Sequence, residues 1–110
     1  MALTSKDSGS TAMNVGNDVT LATITDAGVF EFSCDVSPIV NGETLLLIVE
    51  KKVLTGGTRR EIDRAVIALN AQGSDIVEDK PRTSLFEIVY KLRQEGGSNR
   101  TIDWQIVQLQ

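Results

Sequence analysis

Three consecutive segments decide the fold: LFEIVYKLRQ (85–94), EGGSN (95–99) and RTIDWQIVQLQ (100–110). In the first and third, apolar side chains recur at every second residue, which is the period of a strand with one buried face. They are Phe86, Ile88, Tyr90 and Leu92 in the first segment and Ile102, Trp104 and Ile106 in the third. The glycine pair between them is a turn signal. The segments therefore predict a β-hairpin whose second strand completes its sheet, in an all-β module built for packing and assembly.

Short strands and turns also alternate through the preceding part of the chain. Strands are predicted at residues 19–25, 29–36 and 43–54, with a brief edge strand at residues 75–78. The strongest turn signals between them are Asn41-Gly42 and Gly56-Gly57. About six to seven strands at regular spacing, with no helical crossovers, predict an antiparallel β-sandwich of the jelly-roll kind.

Residues 58–69 are compatible with both a helix and a strand. Thr58 and Glu61 have the spacing of a helix capping box, and apolar residues follow at helical spacing as far as Leu69. As a strand, the segment would return antiparallel to the long strand before it. Propensity alone favours the helix slightly, whereas the two glycines of the preceding turn favour the strand.

Residues 1–18 are rich in Ser, Thr, Gly and Asn and contain no aromatic residue. Such a segment cannot by itself bury enough apolar surface to offset the entropy of ordering it. We predict an extended, flexible N-terminal arm, followed by a β-sandwich domain at residues 19–110. The arm is either a frayed terminus or a segment that becomes ordered against a neighbouring subunit.

Charge and hydropathy exclude several classes of partner. The net charge is −4, and the densest basic pairs, Lys51-Lys52 and Arg59-Arg60, are flanked by Glu50 and Glu61. A nucleic-acid-binding surface needs basic side chains gathered on one face, so direct binding to DNA or RNA is disfavoured. No apolar run is long enough for a membrane span, and the N-terminus lacks the pattern of a signal peptide. We therefore expect a soluble protein made in a cytosol.

The residue types needed for catalysis are scarce. The chain has no histidine and one cysteine, Cys34, which alternates with the apolar residues of its predicted strand and is expected to be buried. The usual zinc, iron and copper sites need more such ligands, and a thiol nucleophile needs a base. No pair of carboxylates stands out as an acid–base pair. We expect no enzymatic activity, no cofactor, no metal and no small-molecule substrate.

Trp104 and four arginines are the candidate contacts with other subunits. Trp104 alternates with Ile102 and Ile106, a pattern of core residues, yet tryptophan is also enriched at binding hot spots. Arginine is enriched there too. The candidate contacts are Arg59, Arg60, Arg93, Arg100 and Trp104.

Several segments together resemble a group of small structural proteins from the virions of tailed double-stranded DNA bacteriophages. The similar segments are LATITDAGVFEFSCD (21–35), NGETLLL (41–47), VLTGGTR (53–59) and YKLRQ (90–94), with Gly97, Arg100 and Asp103-Trp104. The resemblance covers residues 19–110 and consists of turns and strand faces. It implies a strand after Gly56-Gly57, although residues 60–69 depart from the pattern in being compatible with a helix.

The resemblance implies a decoration or cement protein on the exterior of a phage capsid, made in the cytoplasm of the host bacterium. Its partners would be the major capsid protein and further copies of itself, as a dimer or trimer. One alternative is another virion subunit of the tail, neck or main coat. A second alternative, from a different class, is a module that binds carbohydrate or a host surface, since small β-sandwiches also serve in that way.

Overall fold

The computed structural model describes residues 2–70 and 75–110, and all regular structure in these ranges is β. Nine strands are present there, more than the six to seven predicted. They are β1 (Leu3–Ala12), β2 (Asp18–Ile24), β3 (Gly28–Asp35), β4 (Thr44–Lys52), β5 (Arg60–Leu69), β6 (Ile76–Glu78), β7 (Arg82–Ser84), β8 (Glu87–Glu95) and β9 (Thr101–Leu109). The all-β class predicted from the sequence is confirmed, and so is the brief strand near residue 76.

The strands form two antiparallel sheets that pack face to face. Sheet A has the order β1-β9-β3-β6, with β7 also paired to β3, and sheet B has the order β2-β8-β4-β5. The chain crosses between the sheets at every connection except those from β4 to β5 and from β6 to β7. This order is that of a jelly roll in which one strand is divided into β6 and β7. The predicted jelly-roll-like sandwich is confirmed.

The predicted hairpin at the end of the chain is wrong, because its two strands lie in different sheets. In sheet B, β8 pairs with β2 and β4, whereas β9 pairs with β1 and β3 in sheet A. Gly96 and Gly97, both at positive φ (78° and 73°), carry the chain over the end of the sandwich. Alternating apolar residues identify a strand with one buried face, but they do not identify the strand that pairs with it. Here the apolar faces of β8 and β9 face each other across the core instead of lying side by side in one sheet.

The residues predicted to form an N-terminal arm are extended, but they pair within their own chain. Strand β1 runs antiparallel to β9 from Leu3 opposite Leu109 to Ala12 opposite Thr101. This differs both from a frayed terminus and from an arm ordered by a neighbouring subunit. An edge strand gains backbone hydrogen bonds on one side while its polar side chains stay in water, so polar composition is compatible with it. Residue 1 lies outside the described part of the chain.

Residues 60–69 form a strand, as the resemblance implies, and the helical alternative is wrong. Strand β5 pairs with β4 throughout, but the register shifts between Glu61 and Asp63 and again between Val66 and Ala68. The extra residues, Ile62 and Ile67, are β-bulges, and each bulge interrupts the alternation of side chains. The helix-like spacing of apolar residues in this segment is therefore the consequence of a doubly bulged strand.

The core between the sheets is mainly aliphatic, with an aromatic pair at its centre. The rings of Phe32 in β3 and Tyr90 in β8 stack with centroids 5.4 Å apart and an interplanar angle of 12°. Cys34 is buried as predicted and has no disulfide partner. Burial raises the pKa of its thiol to about 12, with a smaller contribution from the charge of Asp35.

The hydroxyl of Tyr90 is buried and has no hydrogen-bond partner among the described residues. An unsatisfied buried hydroxyl costs about 1–3 kcal/mol, so Tyr90→Phe should keep the stacked ring and raise the free energy of unfolding by about 1 kcal/mol. Urea denaturation of the two proteins measures this difference. A loss of stability of the same size would contradict the prediction and show that the hydroxyl is bonded in solution.

Candidate functional site

The five predicted contact residues do not form one surface. Arg59 and Arg93 lie on the outer face of sheet B, and Arg60 is exposed at the start of β5. Arg100 lies at the end of the sandwich where β8 crosses to β9, and Trp104 is in β9. They therefore lie in four different places in the molecule.

The outer face of sheet B carries a network of ion pairs, which we call the charged face. It consists of Asp18, Glu50, Glu61, Glu87 and Glu95 together with Lys52, Arg59, Arg64, Lys91 and Arg93. Five acidic and five basic side chains give it no net charge. Within it, Arg59 Nε lies 2.9 Å from Glu50 Oε1, and Arg93 Nη1 lies 3.1 Å from Asp18 Oδ1. Two of the predicted contact arginines are therefore paired within their own chain.

Two fully buried apolar residues lie beneath the charged face. Ile48 and Val89 are each 0 % exposed, but they alternate with the core residues of their strands and do not belong to the core between the sheets. Ile48 lies opposite Arg64 and Lys91, and long charged side chains cover such residues with their apolar stems. The charged face is thus a second packed layer.

An ion pair between buried Glu43 and half-buried Arg100 closes the end of the sandwich where β8 crosses to β9. The guanidinium of Arg100 donates from Nε to both Glu43 oxygens at 3.0 Å and from Nη2 to Oε2 at 2.7 Å. Glu43 is only 2 % exposed, and its Oε1 also accepts a hydrogen bond from the backbone of Val40 at 3.1 Å. The bonds from Arg100 hold the pKa of the Glu43 carboxyl below its usual value. A charge-assisted bidentate pair of this kind is strong and fixed in orientation.

Gln94 joins this pair to the turn, and we call Glu43, Gln94 and Arg100 the crossing cluster. The Gln94 amide donates to the carbonyls of Gly96 (3.0 Å) and Ser98 (2.7 Å), and its Oε1 accepts from the backbone of Arg100 at 3.0 Å. Sequence analysis missed Glu43 and Gln94. The burial of Gln94 could have been predicted from its position, because it lies two residues after Leu92 and therefore on the buried face of β8.

Trp104 lies inside the sandwich, in agreement with the core interpretation of its alternation. It is 7 % exposed, and its indole Nε1 donates to Thr11 Oγ1 in β1 at 2.9 Å. Gly9 lies against the ring so closely that an added Cβ would be 3.2 Å from it. In this chain, the tryptophan anchors β1 onto β9.

A shallow groove of about 280 Å³ lies on sheet A, lined by Ser8, Ser33, Cys34, Asp35, Ile76, Asp103, Trp104 and Gln105. Asp35 and Asp103 are directly opposite each other on β3 and β9. Each has a local partner, since Asp35 accepts from the backbone of Ser37 at 2.9 Å and Asp103 accepts from Ser10. Over residues 2–70 and 75–110, no group of three or more potential metal ligands is found.

Exposed large apolar side chains are concentrated along one edge of sheet B. The described residues expose nine of them, and five lie between residues 53 and 69. We call these five the β5 edge: Val53, Leu54, Ile62, Val66 and Leu69. Exposed apolar side chains that cluster in this way commonly mark a contact with another molecule.

Among the described residues, no helix is long and apolar enough to cross a membrane. Comparisons with protein-family models and with curated proteins find no match. Among solved structures, the chain is similar to one from "Structure of infectious bursal disease virus Gx strain", with a TM-score of 0.49 and 15% identity. The alignment covers 97% of this chain and 30% of that one, so this chain spans less than a third of its length. A likeness at this level says nothing about function.

Removing a side chain beneath the charged face tests whether that face is a packed layer. We expect Ile48→Ala to lower the free energy of unfolding by about 2–4 kcal/mol, because it leaves a cavity at a fully buried site. Leu85→Ala, at a residue that is 66 % exposed, is the matched control and should change it by less than about 0.5 kcal/mol. Urea denaturation gives both values. Similar effects of the two substitutions would contradict a packed second layer.

The crossing cluster should make stability depend on pH in acid. Because Arg100 lowers the pKa of Glu43 in the folded protein, the stabilisation is complete above the carboxyl's ordinary value of 4.5 and is lost as the pH falls below it. We expect Glu43→Gln to destabilise the protein at pH 7 and to flatten the decline in stability below about pH 4.5.

Urea denaturation midpoints between pH 7 and pH 3 measure this dependence. Glu78→Gln, at an exposed carboxylate, is the control and should follow the original protein. If Glu43→Gln and the original protein lose stability in parallel as the pH falls, the Glu43–Arg100 pair does not supply the pH dependence.

Proposed function

We propose that this protein is a structural component of a bacteriophage virion, and specifically a capsid decoration protein that binds the outer shell and stabilises it. Its partners would be the major capsid protein and copies of itself, and its location the exterior of the capsid. The sequence resemblance over residues 19–110 supports this proposal. The jelly-roll order of the strands is compatible with it as a fold-level analogy, since viral capsid subunits and lectins both use that fold.

The observation that carries the proposal is the uneven distribution of surface chemistry. The charged face is neutral as a whole, and its arginines are engaged within the chain, whereas exposed apolar side chains collect along the β5 edge. A subunit that is added to a shell needs one face that remains in water and another region that contacts its neighbours. A polar, self-paired face and an apolar edge on one small domain meet both needs.

The positions that carry the resemblance hold the fold together. An added Cβ at Gly97 would lie 2.0 Å from the Glu43 carboxylate, and Gly97 has a positive φ. At Gly28 an added Cβ would lie 2.7 Å from Gln108 Nε2. Arg100 closes the crossing cluster. These roles explain why such residues would be shared by proteins of one architecture.

A carbohydrate-binding module is the less favoured alternative. Such modules stack sugars on exposed aromatic rings, and here Phe30, Phe32 and Tyr90 are at most 1 % exposed and Trp104 is 7 % exposed. Phe86 is half-buried, so no aromatic ring among the described residues is fully exposed. A position in the tail, neck or main coat is separated from decoration by the number of copies per particle, because a neck ring holds far fewer subunits than a shell.

Binding to purified shells tests the proposal. The protein would be mixed with assembled capsids of the phage that encodes it and, separately, with unassembled capsid protein, and sedimented. We expect it to bind the assembled shells in many copies, to raise the temperature at which they disrupt, and not to bind the free capsid protein. Absence of binding to the shells would contradict decoration, and so would binding confined to a single vertex.

A further inference from the structure

Three of the four lateral edges of the sandwich are protected against association. Strand β1 is polar over most of its length and is bulged near Lys6, and β2 is bulged near Leu21. On the third edge, β6 and β7 have three residues each. Polar composition, bulges and short strands are the usual means of keeping an edge from pairing with another chain.

The fourth edge is bulged as well, but it differs from the other three in chemistry. Strand β5 has ten residues, and its exposed apolar side chains include Ile62 (45 % exposed), Val66 (55 %) and Leu69 (54 %). In the turn that leads into it, Val53 and Leu54 are 76 % and 68 % exposed. We propose that a second copy of this chain covers the β5 edge, so that the protein forms a two-fold symmetric dimer.

The charges beside this edge favour a second copy over a charged partner. Strand β5 contains two basic residues, Arg60 and Arg64, and two acidic ones, Glu61 and Asp63, so it carries no net charge. Arg64 Nη2 lies 2.9 Å from Glu61 Oε1, and Asp63 is paired with Arg82 of β7 at 2.6 Å. The whole chain carries −4, so two copies repel least where the contacting strands are neutral. Neutral, apolar surfaces are typical of contacts between identical subunits.

The size of this side of the molecule is sufficient for a weak dimer. A strand of ten residues is about 33 Å long at about 3.3 Å per residue, and the shortest dimension of the sandwich is 19 Å. The product is about 600 Å² per copy, or about 1,200 Å² in total, which is the lower limit for specific interfaces. Interfaces near this limit are typical of weak or transient contacts, so we expect a reversible monomer–dimer equilibrium.

The two bulges determine the kind of contact. Ile62 and Ile67 interrupt the ladder of β5, and a bulged edge twists away from a straight partner strand. An unbroken sheet through both subunits is therefore disfavoured. The contact is made mainly by apolar side chains, so its strength depends on their identity.

Sedimentation equilibrium of the purified full-length chain tests the dimer. We expect a monomer–dimer equilibrium, and we expect the double variant Ile62→Lys with Val66→Lys to weaken dimerisation at least about tenfold, because four cations would then face each other. Leu3→Lys is the matched control, at an apolar residue that is 66 % exposed on β1, the edge strand at the other side of sheet A from β6, and it should leave the equilibrium unchanged. The gentler variant Ile62→Thr with Val66→Thr keeps β-branched side chains in the strand and should weaken the dimer if the lysine variant does not fold.

Three outcomes would overturn the proposal: a monomer at the highest concentration, a trimer, or equal weakening by Leu3→Lys. The inference extends the proposed function by naming the surface of self-association, but the measurement uses no capsid. A dimer that fails to bind shells would contradict decoration alone. A monomer that binds shells would contradict the dimer alone.

Discussion

The relative position of the two sheets depends on the ion pair between the buried Glu43 and Arg100. It stands beside the crossing from β8 to β9, and these are inner strands with two neighbours each, one in each sheet. The connection from β1 to β2 (residues 13–17) lies against the same place. The backbone of Met13 donates to the Arg100 carbonyl at 2.7 Å, and that of Gly16 donates to the Gln94 carbonyl at 2.9 Å. A change at this crossing would therefore disturb both sheets together, since breaking one partner of a buried pair leaves the other charge unpaired.

The sandwich also uses its charges to add a layer of packing. Ile48 and Val89 face away from the central core and are nevertheless fully buried beneath the ion pairs of sheet B. Beside β5, Arg82 of β7 is 8 % exposed and donates hydrogen bonds to Asp79 and to Asp63 of β5. This second bond joins sheet A to sheet B. The charged groups of the charged face are paired with one another, so the contact that we propose for the β5 edge depends on its apolar side chains.

The sequence predicted which faces are buried better than it predicted how strands pair. Alternation located the buried residues of β8 and β9 because burial follows the period of the strand, but pairing is decided by contacts distant in sequence. The strand at Leu3–Ala12 was missed because edge strands can be polar, and β5 resembled a helix because of its bulges. The arginines were predicted as contacts from their residue type alone. Residue type could not show that Arg100 pairs with Glu43 and Arg93 with Asp18 within the chain.

The residues that fix the architecture and the residues of strand β5 lie in different parts of the chain. The positions that carry the resemblance include Gly28, Gly97, Arg100 and Trp104, which fix turns, the crossing and the seat of β1. Strand β5 differs from them, because it has two bulges and exposed apolar side chains. Residues that fix an architecture can be common to many proteins, whereas residues that choose a neighbour must differ between them. The exposed apolar side chains of β5 serve neither the core nor the turns, and for this reason we propose β5 as the contact with a second copy.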